Sequence, residues 1–123
     1  MTVLLAVAVA GAVGAPVRYL VDASVEERAG GVFPWGTFSV NVSGSLLLGL
    51  IAGLGLYHGL GSAPRAVVGS GFCGAYTTFS TFSYETVRLI EDGSLFEAAV
   101  NAGASLAVGL AAAAAGLGVA ALL

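Results

Sequence analysis

The sequence predicts an all-α membrane protein with four transmembrane helices, and three observations lead to that prediction. First, 58% of its 123 residues are hydrophobic and only 9% are charged, whereas soluble domains carry about 25% charged residues. Second, four apolar stretches reach the ~20 residues that a helix needs to cross ~30 Å of hydrocarbon. Third, glycine, proline and charged residues gather at the short connections between these stretches. A chain of this length is expected to form a single domain, residues 1–123.

The first half of the chain supplies two of the predicted helices. The first covers about Val3–Leu20, and because no basic segment precedes it, we expect a retained helix rather than a cleaved signal. A charged loop containing residues 22–28 follows and ends at Pro34. The second helix covers about Trp35–Tyr57 and contains several glycines, which let helices approach closely in lipid.

The second half of the chain supplies the other two. The third helix covers about Ala66–Ile90 and follows a glycine-rich turn, and the fourth covers about Phe96–Leu122 after a short charged turn. The lone histidine, His58, falls in the first of these turns, where we expect a surface residue. The lone cysteine, Cys73, has no partner for a disulfide and is expected to be an apolar filler.

Positive charge is divided almost evenly between the two predicted sides of the membrane. Arg18, Arg28 and Arg88 are expected on one side, and Arg65 and the N-terminal amine on the other. Because the positive-inside bias is this weak, such a chain could insert in either orientation. The sequence has no lysine and no basic patch, so nucleic acid is not an expected partner.

The third predicted helix carries an unusual density of polar residues. From Gly69 to Glu85 it reads GSGFCGAYTTFSTFSYE, with five hydroxyls among the seven residues from Thr77 to Ser83. A helix that faces lipid has no use for that density, which indicates a polar path or a helix broken in mid-membrane near Gly74–Thr78. A broken helix exposes backbone carbonyls, and those carbonyls coordinate cations.

Aromatic and amide side chains give two further hints, each with a plain alternative. Phe79 and Phe82 lie three residues apart on one helix face, where they either pack or turn positive ring edges toward a small, dehydrated anion. Asn41 lies within the second helix, where its amide either joins helices or donates to an anion. Asn101 and Ser105 lie four residues apart on the fourth helix and would extend the same polar line.

The roles of two charged residues near the predicted helix ends have more than one explanation. Arg18 either snorkels to the membrane interface or raises the local anion concentration at a pore mouth. Glu85 pairs with Arg18, pairs with Arg88, or faces water. The sequence does not choose among these alternatives.

Three stretches together resemble signatures of the CrcB/Fluc family of fluoride channels. They are GAVGAPVRY at 11–19, GTFSVNVSG at 36–44 and GFCGAYTTFSTFS at 71–83, of which the last is the most specific. The resemblance covers nearly the whole chain, and the length and four-helix layout agree with it. Tyr76 departs from the pattern, because an aliphatic residue is more usual there, and Ser105 stands where Asn or Ser is usual.

The resemblance implies passive export of fluoride from the cytoplasm across the plasma membrane. Neither ATP nor a proton gradient should be needed, because the chain has neither an intramembrane acid nor a nucleotide-binding loop. The resemblance implies an antiparallel, dual-topology homodimer with two pores, or a pair with a paralogous subunit. It also implies a structural sodium ion at the dimer centre, held by the carbonyls of Gly74 and Thr77, and a vestibule arginine at Arg18. The residues implied to line the fluoride pore are Asn41, Phe79, Ser80, Thr81, Phe82 and Ser105.

Three other classes of function fit the sequence less well. A small multidrug exporter has a similar size and layout, but it needs a carboxylate inside the first helix, and no Asp or Glu precedes Asp22. A purely structural subunit would not need the hydroxyl and aromatic residues of the third helix. An enzyme would need a nucleophile with its base or a metal cluster, and the sequence contains neither arrangement.

Overall fold

The computed structural model describes all 123 residues and contains helices and short connections, without strands. Three helices are long and apolar enough to cross a membrane, namely Thr2–Ala29, Trp35–His58 and Leu95–Leu122. The elements in chain order are α1 (Thr2–Ala29), α2 (Trp35–His58), α3 (Ser62–Arg65), a π-helix (Ala66–Cys73), α4 (Gly74–Tyr76), α5 (Phe79–Glu91) and α6 (Leu95–Leu122).

Helix α1 extends further than the sequence analysis predicts. The charged residues expected to form a loop at 22–28 continue the helix to Ala29, so that part of the prediction is wrong. Glu and Arg are good helix formers, and no helix breaker intervenes before Gly30. Gly30 has a φ of 62°, a left-handed value that ends the helix there.

Helices α2 and α6 pack against each other along most of their length. Their backbones approach so closely at Gly116 that a Cβ there would clash with the carbonyl oxygen of Leu46. His58 is the last residue of α2, and its Nε2 lies 2.7 Å from the carbonyl oxygen of Ala120 near the end of α6. The histidine is exposed, as expected, but it belongs to α2 and not to a loop, and it connects the ends of these two helices.

The segment from Ser62 to Glu91 is divided between two partners. The π-helix and α4 pack against α1, and a Cβ at Gly14 would lie only 2.5 Å from the carbonyl oxygen of Phe72. Helix α5 instead packs against α6. Cys73, the last residue of the π-helix, is fully buried, as expected of an apolar filler. Thr77 and Thr78 join the two parts of the segment.

Candidate functional site

The helical backbone is interrupted at Thr77 and Thr78, where the most distinctive sequence signature lies. Thr77 has φ −79° and ψ 160°, and Thr78 has φ −148° and ψ 123°, so both residues are extended. The N–H and the Oγ1 of Thr77 both donate to the carbonyl oxygen of Cys73, at 2.9 and 2.8 Å. These two bonds hold the start of the extended stretch against the preceding helical turn.

Asn41 supplies the hydrogen bonds that the interrupted helix cannot make. Its Nδ2 donates to the carbonyl oxygen of Thr78 at 2.9 Å, and its Oδ1 accepts from the N–H of Thr78 at 2.8 Å. The side-chain amide therefore pairs with the extended backbone as a neighbouring peptide group would. Backbone N–H and C=O groups that are not paired within a helix need other partners, so Asn41 stabilises the interruption directly. One of its two N–H donors remains for another acceptor.

The hydroxyls after the interruption form a cluster around Thr78. Its Oγ1 accepts from the backbone N–H of Thr81 at 3.2 Å and so caps the N-terminus of α5. The same oxygen donates to Thr81 Oγ1 at 3.1 Å and lies 3.3 Å from Ser80 Oγ. Ser80 and Thr81 are thus engaged in shaping the first turn of α5.

A cavity of about 260 Å³ lies beside the interruption, between α2, α5 and α6. We call it the Asn41 cavity. It combines hydroxyl, amide and aromatic groups with two leucines. Its lining residues are Asn41, Ser45, Leu48, Thr77, Thr78, Phe79, Phe82, Ser105 and Leu106.

The two phenylalanines of α5 lie next to each other at this cavity. Their ring centroids are 5.9 Å apart and their planes are inclined by 43°, an arrangement that leaves ring edges available to a ligand. The side of the cavity at Phe79 is open, since that residue is 79% exposed on the single chain. A large aromatic this exposed contributes little to the packing of the chain that carries it.

Ser105 belongs to a line of hydrogen bonds that runs away from the Asn41 cavity. Its Oγ donates to Asn101 Oδ1 at 3.3 Å, and Asn101 Nδ2 donates to Thr86 Oγ1 at 2.8 Å. Thr86 Oγ1 donates in turn to the carbonyl oxygen of Phe82 at 2.8 Å. Asn101 is almost completely buried, so this line fixes α6 against α5 at the position of the phenylalanine pair.

A second, smaller cavity of about 160 Å³ lies on the other side of Thr78. We call it the Arg18 cavity. Arg18, Thr37, Thr78 and Thr81 are among its lining residues. The guanidinium Nη1 of Arg18 donates to the carbonyl oxygen of Thr77 at 3.4 Å. Arg18 therefore points toward the interruption as well as lying near the polar end of α1.

Carboxylates surround the N-terminus of α2. Glu85 Oε1 accepts from Thr37 Oγ1 at 2.5 Å, and Glu26 Oε1 accepts from the N–H of Gly36 at 2.8 Å. The structure thereby resolves the alternatives for Glu85, which bonds to Thr37. Arg88 pairs instead with Asp92, at 3.9 Å on an exposed surface. Negative groups at a helix N-terminus are favourable because the helix dipole is positive there.

The structure brings some of the proposed pore residues together and separates others. Asn41, Phe79, Phe82 and Ser105 line the Asn41 cavity. Thr81 lines the Arg18 cavity instead, and Ser80 lines neither, although it contacts Thr78. Of the two residues implied to hold sodium, Thr77 lies in the interruption and Gly74 is exposed at the start of α4.

Three residues that contribute to these cavities are not among the predicted site residues. Thr37 is almost fully buried and holds Glu85, Thr78 pairs with Asn41, and Ser45 lines the Asn41 cavity. Thr78 stood within the hydroxyl-rich signature, so that density could have pointed to it. Ser45 lies four residues after Asn41, and this helical spacing was the only available signal.

Known proteins are similar to this chain over nearly its whole length. Residues 5–117 match the family described as "CrcB-like protein, Camphor Resistance (CrcB)". A protein of Streptomyces avermitilis named fluoride-specific ion channel FluC 1 is 54% identical over 110 residues, covering 89% of each chain. One of the same name from Frankia casuarinae is 51% identical over 124 residues, covering 94% of this chain and 93% of its own. A fluoride-specific ion channel FluC of Geobacter sulfurreducens is 51% identical over 109 residues, covering 88% of each.

Proposed function

This chain belongs to the CrcB-like family, and from that premise we propose that it is a fluoride-selective channel that lets fluoride leave the cytoplasm passively. It is a multi-pass membrane protein, with three long apolar helices. The observation that carries the proposal is the Asn41 cavity, where an amide, hydroxyls and two ring edges meet beside an interrupted helix. The names of the relatives supply the identity of the ion.

The chemistry of the Asn41 cavity suits a small anion that has lost its water. Fluoride is strongly hydrated, so a selective pathway must replace its water with other donors. Asn41 has one N–H that is free of Thr78, and Phe79 and Phe82 offer weakly positive ring edges. Several weak contacts favour conduction over one deep well, because an ion must leave as readily as it enters.

The interruption at Thr77–Thr78 would lie at the middle of the membrane. It falls near the midpoint of the Ser62–Glu91 segment, so a helical portion of similar length remains on either side. Asn41 satisfies the backbone of Thr78, which is the condition for non-helical structure at that depth. The segment would then cross the bilayer as one broken helix and complete a set of four spans.

The functional unit would be an antiparallel dimer with two fluoride pores. Ser43, Ser70, Gly74 and Ser80 are exposed on the single chain within these spans, as is Phe79. Polar groups at that depth need protein or water around them, and a second copy would cover them and close the open side of the Asn41 cavity. The even division of arginines permits both orientations, and a paralogous subunit would satisfy the same geometry.

A reporter joined to the C-terminus tests this arrangement in cells. The antiparallel dimer predicts that the reporter is found on both sides of the membrane. Finding the reporter on one side only, in cells without a paralogue, would contradict the arrangement.

A structural sodium ion would lie at the centre of the dimer, held by the carbonyls of Gly74 and Thr77. Thr77 is extended, and the donor of Arg18 is 3.4 Å away, longer than the ~2.7–2.9 Å of a strong charge-assisted bond. A carbonyl has two lone pairs, so the Thr77 oxygen retains capacity for a cation. Two chains would offer four carbonyl oxygens, a donor set that suits a hard monovalent ion. Transfer to strictly sodium-free buffer should lower the thermal stability of the dimer, and unchanged stability would count against the ion.

Reconstitution into liposomes loaded with potassium fluoride tests the function itself. With valinomycin to carry the counter-ion, the purified protein should release fluoride to an external electrode, and no ATP or proton gradient should be needed. Protein-free liposomes and chloride-loaded proteoliposomes are the controls, and both should show little efflux. Dependence of the fluoride flux on a proton gradient would favour a coupled transporter, and absence of flux from folded protein would remove the proposal.

A further inference from the structure

The hydroxyl groups of the Asn41 cavity are not equally free to bind a ligand. Four hydroxyl side chains line it, those of Ser45, Thr77, Thr78 and Ser105. Thr77 donates to the carbonyl oxygen of Cys73, Thr78 donates to Thr81 Oγ1, and Ser105 donates to Asn101. The Ser45 hydroxyl alone has no hydrogen-bond partner within the chain.

Ser45 is also accessible from the cavity. Every fully buried side-chain nitrogen and oxygen in the chain has a hydrogen-bond partner, so the unpartnered Ser45 oxygen keeps some contact with the cavity space. Ser45 lies four residues after Asn41 on α2, hence on the same helix face and about 6 Å further along the axis. The two side chains present donors to one cavity at successive helical turns.

The facing helix leaves space beside this hydroxyl. Gly109 of α6 has no side chain, and a Cβ built there would lie 3.7 Å from Ser45 Oγ, at an ordinary van der Waals distance. No side chain of Gly109 therefore covers the Ser45 O–H from this helix. Leu48, one turn further along α2, closes this end of the cavity with an apolar group.

From this arrangement we propose that Ser45 is a further fluoride-binding residue, whose hydroxyl donates to the ion one helical turn beyond Asn41 and opposite Gly109. The inference rests on the proposed channel function and deepens it. Because the hydroxyl has no internal partner to give up, it can turn toward the ion at little cost. Fluoride that leaves the amide of Asn41 then meets a second donor before it reaches Leu48.

Single substitutions test whether the hydroxyl matters. Ser45→Ala removes one O–H donor to an anion, and fluoride efflux per folded protein should fall about tenfold. Ser45→Thr keeps the hydroxyl and should keep flux within about twofold of wild type. Ser39→Ala is the matched control, because Ser39 lies on the same helix but lines neither the Asn41 cavity nor the Arg18 cavity; its flux should not change.

A rescue experiment tests the location of the hydroxyl. Adding Gly109→Ser to Ser45→Ala returns an O–H to the same space from the opposite helix, and flux should recover at least about threefold. Adding Gly103→Ser instead is the control, since nothing lies within 4 Å of a Cβ at Gly103 and no recovery is expected.

Two results would overturn the proposal while leaving the channel function intact. One is a wild-type flux in Ser45→Ala, and the other is an equal loss in Ser45→Ala and Ser39→Ala. Failure of Gly109→Ser to restore flux in a folded double variant would overturn the placement opposite Gly109. Absence of fluoride flux in the wild-type protein would instead remove the proposed function on which the inference rests.

Discussion

The two halves of the Ser62–Glu91 segment are adjacent in sequence and opposite in environment. The first half packs against α1 so closely that Gly14 has no room for a Cβ beside Phe72, and Cys73 is fully buried. The second half begins with Phe79, which is 79% exposed, and carries four Ser and Thr hydroxyls, against two before the interruption. The packed half fixes the position of the interruption, and the open half presents the groups that we propose for contact with the ion.

The different environments follow from composition and from the change of packing partner. Small and apolar residues from Ala66 to Ala75 allow close backbone contact with α1. The residues from Thr77 to Ser83 are too polar for such a contact, and there the segment passes from α1 to α6. Asn41 of α2 contacts the segment where its two halves meet, because it hydrogen-bonds the backbone of Thr78 and also lines the Asn41 cavity.

Overfilling the packed half should have the largest effect on folding. In Gly14→Val the new Cβ would approach the carbonyl oxygen of Phe72 to 2.5 Å, and that backbone oxygen cannot move aside. Overpacking of this kind costs about 1–3 kcal/mol or more, so the yield of monodisperse protein and its thermal midpoint should fall sharply. Gly103→Val makes the same change in open surroundings and should leave both nearly unchanged. Equal behaviour of the two variants would mean that α1 and the π-helix are not closely packed.

Placing a charge at Asn41, beside the junction of the two halves, should have the next largest effect, mainly on fluoride flux. Asn41→Asp puts a carboxylate on the pathway that we propose for the anion, and two like charges 4 Å apart repel by about 4 kcal/mol at an effective dielectric constant of about 20. Fluoride efflux should fall by at least about a hundredfold. Asn41→Ala removes the amide without adding charge and is the matched comparison. An Asp variant that conducts as well as the Ala variant would show that fluoride does not pass this position.

The sequence predicts the long apolar helices well and their polar ends poorly. The predicted second and fourth helices agree with α2 and α6 to within one residue at each end. The first helix is predicted too short, because its charged residues resemble the start of a loop. In the structure, Glu26 and Glu27 continue the helix beyond the apolar stretch. Hydrophobicity marks where lipid ends, and backbone propensity decides where the helix ends.

The site could be predicted in its residue types but not in its connections. The hydroxyl density of the third signature pointed to a polar path, and Asn41 was recognised as a buried amide in need of partners. That its partner would be the backbone of Thr78 depends on where α2 crosses the interruption, which no sequence pattern records. The π-helix was missed for a similar reason, because its hydrogen bonds to the fifth residue leave no distinct periodicity over eight residues.

The smallest effect is expected from removing the hydrogen bond between Tyr76 and Ser43, because neither residue lines the Asn41 cavity. Tyr76 OH lies 2.8 Å from Ser43 Oγ, and its ring stacks on Phe72. Tyr76→Phe keeps the ring and loses this bond, so the free energy of unfolding should fall by about 1 kcal/mol with fluoride flux unchanged. Tyr57→Phe, on an exposed side chain at the end of α2, is the control and should have no effect. A large loss of flux in Tyr76→Phe would place the tyrosine in the pathway.

The most direct test of the division into a packed and an open half compares the same substitution in each. Phe72→Ile removes a ring that stacks on Tyr76 at 5.5 Å, and Phe82→Ile removes a ring edge from the Asn41 cavity. Fluoride efflux from liposomes, divided by the amount of folded protein, should fall at least about tenfold in Phe82→Ile, at near wild-type stability. Phe72→Ile should lower stability by about 1 kcal/mol and leave flux per folded protein near wild type. Near-normal flux in well-folded Phe82→Ile, or loss of flux in Phe72→Ile alone, would contradict the account.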